Sequence, residues 1–600
     1  NIVLNADNTT GIYADEGATA INTGTITSSG THSNVVGVYL GRNSTLNNTG
    51  VININGANGV GVYLKGGTIA NYGTITVNGS NDRSKTIFKF TTPPTGKSMG
   101  SAAINAPARA QTATVTINGI LQTPVVINTF AQNPIEVSAS SIGLYVNTSG
   151  KDYTNSITGL GNLTTEADLI IGTEATQMTN SKSILIKDPR MLAPYNDVIK
   201  TSGVTKWNIY SGGLNWLATP TLNPSDGTMT SIYMVKVPYT DWAGKETTPV
   251  NSTDTYNFLD GLEQRYGAEW YGDRGERERE LFSKLNNIGN NEEVLFYQAT
   301  DEMMGHQYGN LQQRINETGN LLDKEFKYMR NEWRNPSKQN NKIKVFGMRN
   351  EYNTDTAGII DYTSNAYGVA YVHENETVKL GNSSGWYAGA VNNNFKFKDI
   401  GKSRENQTMV KAGIFKTMSP YMDHNGSLRW TIAGDVFLGK NEMKRKFLVV
   451  DDIFNAKGDY TSYGAAFKTD LGYDIRMSER THLKPYGALK MEYGKFSKIK
   501  EDSGEIRLEV DGNDYFSVKP EVGLQFKYIQ PMAVRTQLSV GLTAAYEKEL
   551  GRLDDVNNKA RVRYTTADWY SLGGEKEDRK GNGKFDLNIG IDNTRFGVTV

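Results

Sequence analysis

Side chains that commonly carry out chemistry are sparse in this chain of 600 residues, and their spacing matches no catalytic or metal-binding pattern. There is no cysteine, which removes thiol nucleophiles, thiolate metal ligands and disulfides. The five histidines show no metal-ligand spacing; they are His32, His306, His373, His424 and His482. Neither a Gly-x-Ser-x-Gly nucleophile elbow nor a phosphate-binding Gly-rich loop occurs. We therefore expect no enzymatic activity in these residues, no cofactor and no metal ion.

Two weaker chemical signals have simpler structural explanations. The segment Asp355-Thr356-Ala357-Gly358 resembles the turn of an aspartic protease, but a single copy at a strand end fits an ordinary external loop better. His306 lies on a predicted polar helix, where a pore-facing polar role is favoured over a catalytic one. The chain has 64 Lys+Arg and 64 Asp+Glu, so no global field favours nucleic acid.

The amino-terminal residues contain an internal repeat. Gly11-Ile12-Tyr13 returns as Gly37-Val38-Tyr39 and as Gly61-Val62-Tyr63. After each copy comes a second unit, which begins at Asn22, Asn48 or Asn71. Periods of ~20 to 50 residues with Gly and Asn at corners and β-branched residues between them are typical of solenoids. The pattern predicts a parallel β-solenoid with two strands per turn.

The repeat is interrupted and then followed by a change of texture. Residues 81–140, with Pro93-Pro94, are predicted to be an insertion loop, after which Gly143-Leu144-Tyr145 resumes the repeat. Further on, Trp207 and Trp216 flank a Gly-Gly turn. These two tryptophans could cap the exposed last rung of the solenoid, although an aromatic hairpin without special function is the alternative.

A long amphipathic helix is predicted from Asp301 to Trp333, with Thr300 as its amino-terminal cap and Pro336 as its stop. An apolar stripe runs along one face. The polar side of this helix, which suits a water-filled pore or the surface of a coiled coil, includes Asn310, Gln313, Arg314, Glu317 and Lys324.

After Pro336 apolar and polar residues alternate, so the period of the hydrophobic pattern changes to two residues. No stretch approaches the ~20 apolar residues of a spanning helix, but many alternating runs reach the ~9 to 11 residues of a tilted membrane strand. Short breaks near 423–426, 478–481, 529–531 and 592–594 alternate with long loops near 440–459, 500–513 and 552–583, which favours an outer-membrane barrel over a soluble sandwich. Eleven strands are predicted. The side chains expected on the lumen wall are Lys490, Glu492, Lys519, Glu521, Arg535 and Glu547.

Three segments carry a resemblance to a known family: Gly309-Asn310-Leu311-Gln312-Gln313-Arg314, Pro485-Tyr486-Gly487-Ala488-Leu489-Lys490-Met491-Glu492-Tyr493 and Lys519-Pro520-Glu521-Val522-Gly523-Leu524. Together with the order of solenoid, cap, helix and barrel, they resemble the monomeric autotransporters of type V secretion. The resemblance covers the whole chain. It implies a mostly β protein with a right-handed parallel β-solenoid passenger, an α-helical linker and a twelve-stranded antiparallel transmembrane barrel with the helix in its pore.

The resemblance also implies location and partners. The barrel would lie in outer-membrane lipid as a monomer, inserted with the help of the barrel-assembly machinery and periplasmic chaperones, and the passenger would stand on the cell surface and bind an unknown receptor. An adhesin or virulence factor is favoured; the alternative is an enzymatic passenger, a protease or esterase, located upstream. A simple porin would leave the solenoid and the helix unexplained.

The chain departs from the family pattern in two places. It ends at Val600 within the eleventh predicted strand, so a closing strand is expected beyond it, and its first residues already lie within a repeat, so a longer passenger is expected before them. The helix lacks the Asn-Asn pair at which some relatives cleave themselves; the pore charges are therefore interpreted as a solvated wall in preference to a cleavage site. The predicted domains are residues 1–150 (solenoid), 151–250 (passenger cap), 251–300 (helical linker), 301–336 (lumen helix) and 337–600 (barrel).

Overall fold

The computed structural model describes residues 1–15, 17–41, 43–64, 67–78, 85–89, 115–117, 120–122, 143–150, 165–177, 179–243, 252–268, 275–290, 292–330, 341–356, 358–376, 382–534, 536–553, 556–575, 581–593 and 597–599. Most of the predicted insertion loop, together with Trp333, Pro336 and Arg535, lies outside these ranges. No helix among the described residues is both long and apolar enough to cross a membrane.

The amino-terminal repeats form a parallel β-solenoid with three strands in each turn. Its sheets have the strand orders β1-β4-β7-β10, β2-β5-β8-β11 and β3-β6-β9. The prediction of two strands per turn is therefore wrong. The strands are β1 (Ile2–Leu4), β2 (Thr10–Ala14), β3 (Thr19–Asn22), β4 (Thr25–Ser28), β5 (Val36–Leu40), β6 (Thr45–Asn48), β7 (Val51–Asn55), β8 (Val60–Leu64), β9 (Thr68–Asn71), β10 (Thr74–Asn78) and β11 (Lys85–Lys89).

Equivalent side chains of successive turns stack on one another. The rings of Tyr13 and Tyr39 stack with centroids 4.6 Å apart, and those of Tyr39 and Tyr63 are 5.4 Å apart. At one corner Asn34 Nδ2 donates to Asn8 Oδ1 (2.8 Å), and Asn58 Nδ2 donates to Asn34 Oδ1 (3.0 Å). These three asparagines adopt positive φ, a conformation that Asn tolerates better than most residues. The sequence repeat thus specifies both the corners of the solenoid and the stacking of equivalent side chains in successive turns.

A mixed α/β region follows the solenoid. The short strands β12 (Val115–Ile117) and β13 (Ile120–Gln122) pair antiparallel. One parallel sheet has the order β14-β15-β17 and one antiparallel sheet the order β16-β19-β18. The elements are β14 (Gly143–Val146), β15 (Glu166–Ile171), β16 (Ser183–Ile186), α1 (Pro189–Thr201), β17 (Lys206–Ser211), β18 (Trp216–Leu222) and β19 (Met229–Lys236).

Four further helices lead to the second sheet: α2 (Ser252–Arg265), α3 (Gly275–Asn286), α4 (Glu293–Met303) and α5 (Leu311–Arg330). The prediction of one helix from Asp301 to Trp333 is wrong, because Gly305 adopts a left-handed conformation (φ 83°) and separates α4 from α5. Thr300 is not an amino-terminal cap; it lies inside α4, where its hydroxyl donates to the carbonyl of Phe296 (2.9 Å).

The carboxy-terminal part is a curled antiparallel sheet. Within the described residues it has twelve strands, eleven of them along one path, with β28 off the path. The path strands are β20 (Asn341–Tyr352), β21 (Tyr362–Glu376), β22 (Ser383–Phe397), β23 (Arg404–Met422), β24 (Gly426–Val449), β25 (Asp452–Arg476), β26 (Thr481–Phe496), β30 (Asp514–Ala533), β31 (Thr536–Lys548), β34 (Gly581–Asn593) and β35 (Gly597–Thr599).

Two predicted loop positions are corrected. Residues 440–459 are not a long loop, because β24 continues to Val449 and β25 begins at Asp452. Residues 529–531 are not a break, because β30 continues to Ala533. The two long loops that remain contain short strands of their own, namely β27 (Ile499–Lys500), β28 (Ser503–Gly504), β29 (Leu508–Val510), β32 (Asn558–Val562) and β33 (Tyr570–Leu572).

The contacts divide the chain into two compact units. The first comprises Asn1–Met304, Phe447–Phe454 and Arg561–Tyr570, and the second comprises Gly305–Lys446, Asn455–Ala560 and Ser571–Val600. The boundary at Met304 coincides with the break between α4 and α5.

Candidate functional site: a helix held inside the barrel

The two faces of the curled sheet have opposite chemistry. Large apolar side chains project outward: Val345 is 80% exposed, Leu438 57% and Phe585 86%. Polar side chains on the other face, such as Glu405 and Lys411, are each only 1% exposed. A face this apolar is costly in water and suits a hydrocarbon layer, whereas the charged inner face suits a lumen.

Helix α5 lies on the inner face. Its side chains make polar contacts with β20, β21, β22, β23, β25, β26, β30 and β34, so the sheet wraps around the helix. A Cβ added at Gly319 would lie 3.4 Å from Lys411 Nζ, and one added at Gly389 would lie 2.8 Å from Leu322 Cδ2. The helix and the wall therefore approach each other closely at Gly319 of α5 and at Gly389 of β22, where the residue has no side chain.

A buried ion pair fixes the first turn of the helix. Arg314 pairs with Glu405, a residue of β23, through its Nε atom. Arg314 Nη2 also donates to the carbonyl of Gln307 (2.7 Å). Glu405 accepts further hydrogen bonds from Tyr460 and, at 3.0 Å, from Gln407. Because both charges are buried, each depends on these partners for compensation.

A second ionic network surrounds the middle of the helix. Asp323 contacts three lysines of the wall: Lys411 (2.9 Å), Lys490 (2.9 Å) and Lys468. Asp435 and Glu492 supply the remaining negative charge. Asp435 lies 2.6 Å from Lys468, and Glu492 lies 2.8 Å from Lys490. Three carboxylates thus balance three ammonium groups, which avoids an uncompensated charge in the lumen.

Hydrogen bonds from uncharged donors extend this network along the helix. The amide of Asn316 donates to Glu492 (2.8 Å), and the hydroxyl of Thr318 donates to Gln407 (2.7 Å). Glu317 accepts from Tyr362 (2.7 Å) on β21. Every turn of the polar helix face therefore has partners on the barrel wall.

The residues predicted for the lumen helix lie at different depths. Arg314 and Glu317 are in the contacts above, and Asn310, which immediately precedes α5, donates to Gln313. Lys324 pairs with Asp586 at 3.2 Å, but its side chain is 61% exposed. The helix brings Arg314 and Glu317 to the wall, and leaves Lys324 largely in solvent.

Five of the six predicted wall residues lie on the inner face. Lys490 and Glu492 belong to the network around Asp323. Lys519 reaches Asn316 Oδ1 (3.4 Å). Glu521 and Glu547 both pair with Lys584. Arg535 lies outside the described residues.

Four central members of the network were not predicted from the sequence: Asp323, Lys411, Asp435 and Lys468. Each is a single charge within an alternating strand or an amphipathic helix, which resembles many exposed charges. The alternation of inward and outward residues along β23, β24 and β25 is the signal that could have identified the three wall residues. Lys411, for example, lies between the outward residues Val410 and Ala412.

A further buried cluster of the second unit lies beside the residues that precede α5. Arg445 forms two hydrogen bonds of 2.9 Å with the carboxylate of Glu501. The hydroxyl of Tyr308 donates to the same carboxylate (3.0 Å). Asn558 donates to the carbonyl of Tyr308 (2.8 Å). The two long loops therefore contact the residues that precede α5.

The predicted cap tryptophans lie in two different sheets of the first unit. Trp216 begins β18, is fully buried, and its indole Nε1 donates to Asn286 Oδ1 (3.0 Å). Trp207 is half-buried on β17, opposite Ala167 of β15. The structure does not bring the two rings together.

The first unit also buries one lysine. Lys236 Nζ lies 2.5 Å from Glu263 and 3.5 Å from the centroid of the Tyr239 ring. Burial lowers the pKa of Lys236 to about 8, and the attraction of Glu263 only partly offsets this effect. For Glu263 burial acts to raise the pKa, but Lys236 and Lys182 outweigh it and the pKa lies below its usual value. Within the described ranges, no group of three His, Asp or Glu side chains could hold a metal ion.

Comparison with known proteins identifies two regions. Residues 343–600 match the family model described as autotransporter beta-domain, and residues 1–91 match the one described as BigA third pectate lyase-like domain. No curated protein matches.

Two solved structures are similar at low identity. The translocator domain of the autotransporter NalP from Neisseria meningitidis shares 11% identity with a TM-score of 0.34, and the match covers 48% of this chain and 89% of that one. The beta domain of the Bordetella autotransporter Brka shares 13% identity with a TM-score of 0.28, over 42% of this chain and 96% of that one.

Proposed function

Because residues 343–600 belong to the autotransporter beta-domain family, we propose that α5 closes the pore of this barrel while the attached passenger acts at the cell surface as a non-enzymatic adhesin. The barrel lies in the outer membrane, and the pectate-lyase-like β-solenoid is its surface-exposed passenger. The family also implies insertion by the outer-membrane assembly machinery. Periplasmic chaperones and a surface receptor are the further partners proposed.

The observation that carries pore closure is the contact of Asp323 with Lys411, Lys468 and Lys490. A helix that only passed through a wide pore would need no buried charge matched to three strands. Replacing Asp323 would leave three buried ammonium groups with two carboxylates, and breaking a buried ion pair costs about 3 to 5 kcal/mol.

The test is the conductance of the full chain in planar bilayers. Asp323→Asn is expected to raise the conductance or make it fluctuate between open and closed levels, because the helix is held less firmly. Asp586→Asn, which removes an exposed partner of the same helix, is the matched control and should resemble the unaltered protein. Deletion of residues 301–333 should give the largest conductance. If that deletion leaves the conductance unchanged, α5 does not close the pore.

Adhesion is supported by the polar rows on the surface of the solenoid. Thr45 and Thr68 have hydroxyls 3.3 Å apart in successive turns, and Asn71 donates to Asn47 (2.8 Å) in the same sheet. Both contacts are exposed, and solenoids use such extended surfaces to bind partners. We expect cells that display the chain to adhere to host cells or to each other, and cells that display residues 301–600 alone not to adhere. Equal adherence would contradict the proposal.

The alternative of an enzymatic passenger has one specific observation in its favour, the pectate lyase-like description of the matched family model. We propose that the described solenoid does not cleave polysaccharide. Purified chain incubated with polygalacturonate and calcium should release no unsaturated product, and release of such product would favour the enzyme.

A further inference from the structure

A row of three cations crosses the outer face of three neighbouring barrel strands. Lys396 on β22 is directly opposite Arg404 on β23, and Arg404 is directly opposite Lys444 on β24. Lys396 and Arg404 are exposed and Lys444 is half-buried. None of the three has a carboxylate partner among the described residues.

Such a row is unfavourable unless something negative lies against it. Residues directly opposite on neighbouring strands have Cβ atoms about 5 Å apart, and like charges at these positions repel. Three carboxylates lie on the same outward face nearby. Glu442 is opposite the uncharged Asn406, Glu351 on β20 pairs with Lys398 at 2.6 Å, and Asp459 lies on β25. Lys440 and Lys446 flank the row on β24. The positive charge is therefore in excess along this stretch of the wall.

The row lies on the external side of the membrane. The same strands carry the apolar band, which ends on this side at Val410 and Leu438, cross-strand partners that are 49% and 57% exposed. The long loops that follow Phe496 of β26 and Lys548 of β31 emerge at this end of the barrel, as does the two-residue turn between β24 and β25. The connections after Met422 and Arg476, at the other end, are both short, and outer-membrane barrels have their long loops outside.

The height of the row above the apolar band selects the ligand. From Val410 to Arg404 there are six residues, or about 20 Å of strand, which a tilt near 40° reduces to about 15 Å along the membrane normal. The headgroup layer of an ordinary bilayer adds only about 5 to 7 Å on each side of the hydrocarbon. A phospholipid phosphate would therefore lie below the row, and a larger, sugar-based headgroup would reach it.

We propose that the row formed by Lys396, Arg404 and Lys444 binds the phosphate groups of a phosphorylated glycolipid in the outer leaflet. A phosphate monoester carries nearly two negative charges and three acceptor oxygens, enough for all three cations. The guanidinium of Arg404 suits two parallel hydrogen bonds to one phosphate, and the lysines act as flexible charges on either side. The glycolipid would thereby screen the repulsion along the row.

The test counts lipid bound to the full chain by native mass spectrometry from detergent. The probes are rough lipopolysaccharide with phosphorylated core sugars, the same lipid after dephosphorylation, phosphatidylglycerol, and inorganic phosphate alone. We expect the unaltered protein to retain the phosphorylated lipopolysaccharide and to lose most of this binding after dephosphorylation. This comparison needs no altered protein.

The triple variant Lys396→Gln/Arg404→Gln/Lys444→Gln then locates the site. A cation near an anionic lipid surface contributes about a fivefold increase in affinity, so the triple variant should bind at least ~10 times more weakly. The matched control Lys187→Gln/Lys548→Gln/Lys559→Gln removes the same charge from exposed positions elsewhere and should bind normally. Equal binding by the two triple variants would overturn the proposal. So would equal retention of the dephosphorylated lipid or of phosphatidylglycerol, or displacement by millimolar inorganic phosphate.

Discussion

At the scale of single residues, the lumen helix carries two cations whose environments predict opposite responses. Arg314 is 1% exposed and its partner Glu405 is 1% exposed, whereas the side chains of Lys324 and Asp586 are 61% and 48% exposed. A buried pair suffers when one partner is removed, because the other charge stays desolvated. An exposed pair is already close to its energy in water.

We expect Arg314→Ala to lower the stability of the barrel by about 3 to 5 kcal/mol, since Glu405 is left buried without its cation. Lys324→Ala should cost about 1 kcal/mol or less. The measurement is urea unfolding of the inserted barrel, followed by its heat-dependent gel mobility. Arg314→Ala combined with Glu405→Gln should recover much of the loss. A loss for Arg314→Ala no larger than that for Lys324→Ala would show that water compensates Glu405.

Lys236 supplies the pH-dependent prediction. The pKa of this lysine falls from 10.5 to about 8 in the folded protein, chiefly because it is buried. Between pH 8 and 10.5 the unfolded chain therefore holds a proton that the folded chain has released, so the stability of the first unit should rise with pH in this window. Lys236→Met should abolish the rise. The urea midpoint of passenger unfolding, measured at pH 7, 8, 9 and 10 in both proteins, gives the comparison.

The partner of Lys236 gives a second readout of the same contact. Glu263 keeps Lys182 at 2.7 Å and the backbone amide of Tyr239 at 3.0 Å when Lys236 is replaced, so Lys236→Met should be tolerated at pH 7. Glu263→Gln leaves the lysine buried without its anion and should cost about 3 kcal/mol. That cost should shrink above pH 8 as the lysine loses its proton. A cost independent of pH would mean that Lys236 reaches solvent in the variant.

At the scale of elements, the sequence predicted the type of each region better than its internal geometry. The Gly-Val-Tyr phrase predicts a stacked rung because the tyrosines recur in register, and they do stack. The strands β3, β6 and β9 were missed because their sequences Thr-Ala-Ile-Asn, Thr-Leu-Asn-Asn and Thr-Ile-Ala-Asn merge with the phrase that follows. A strand of four residues between two corners is too short to show a period of its own.

The candidate site was predictable only in part, for a related reason. Strand alternation tells which residues share a face, so Lys490 and Glu492 were assigned to the lumen from the sequence. The meeting of Asp323 with Lys411 and Lys468 depends on how the helix is rotated and how strands are staggered across the barrel. Neither quantity is encoded in a local pattern. The helix break was missed because Gly305 looks like any helical glycine until its positive φ is seen.

Gly305 at this break and Gly319 inside α5 are expected to respond differently when each is replaced by alanine. Gly305 has φ 83°, and a Cβ there would lie 2.5 Å from Cδ1 of the buried Leu508. Gly305→Ala should therefore destabilise the second unit by about 1 to 2 kcal/mol. Gly319 lies inside α5, where a Cβ would meet Lys411 Nζ at 3.4 Å and Met409 Sδ at 3.6 Å. Gly319→Ala should be neutral or stabilise by up to ~1 kcal/mol.

The measurement for this pair is the temperature at which each variant loses its folded gel mobility. Gly305→Ala should lose it at a lower temperature than the unaltered protein, and Gly319→Ala at the same or a higher one. If this temperature falls equally in both variants, crowding around α5 explains the loss of stability. The left-handed conformation of Gly305 would then contribute nothing to it.

At the scale of the whole molecule, the division into units does not follow the order of the chain. The segments Phe447–Phe454 and Arg561–Tyr570 belong to the first unit, although the strands that carry them belong to the second. Within the first unit, Arg277 of α3 pairs with Asp452 (2.7 Å) and stacks over Phe454, with its guanidinium 4.2 Å from the ring centroid. The segment Phe447–Phe454 thus packs against α3 within the first unit.

We predict that the two units fold separately, although the first unit includes two segments from the barrel part of the chain. Trp216 is fully buried in the first unit and bonded to Asn286, so Trp216→Ala removes a large core side chain and should cost about 3 to 5 kcal/mol. We expect the passenger to become sensitive to protease while the barrel keeps its heat-dependent gel mobility, because the lumen network contains no residue of the first unit. Trp207→Ala, at a half-buried site, is the matched control. Its passenger should be more resistant to protease than that of Trp216→Ala. Loss of the folded barrel in Trp216→Ala would show that the barrel depends on the passenger, and a passenger as resistant as the unaltered one would show that Trp216 only fills local space.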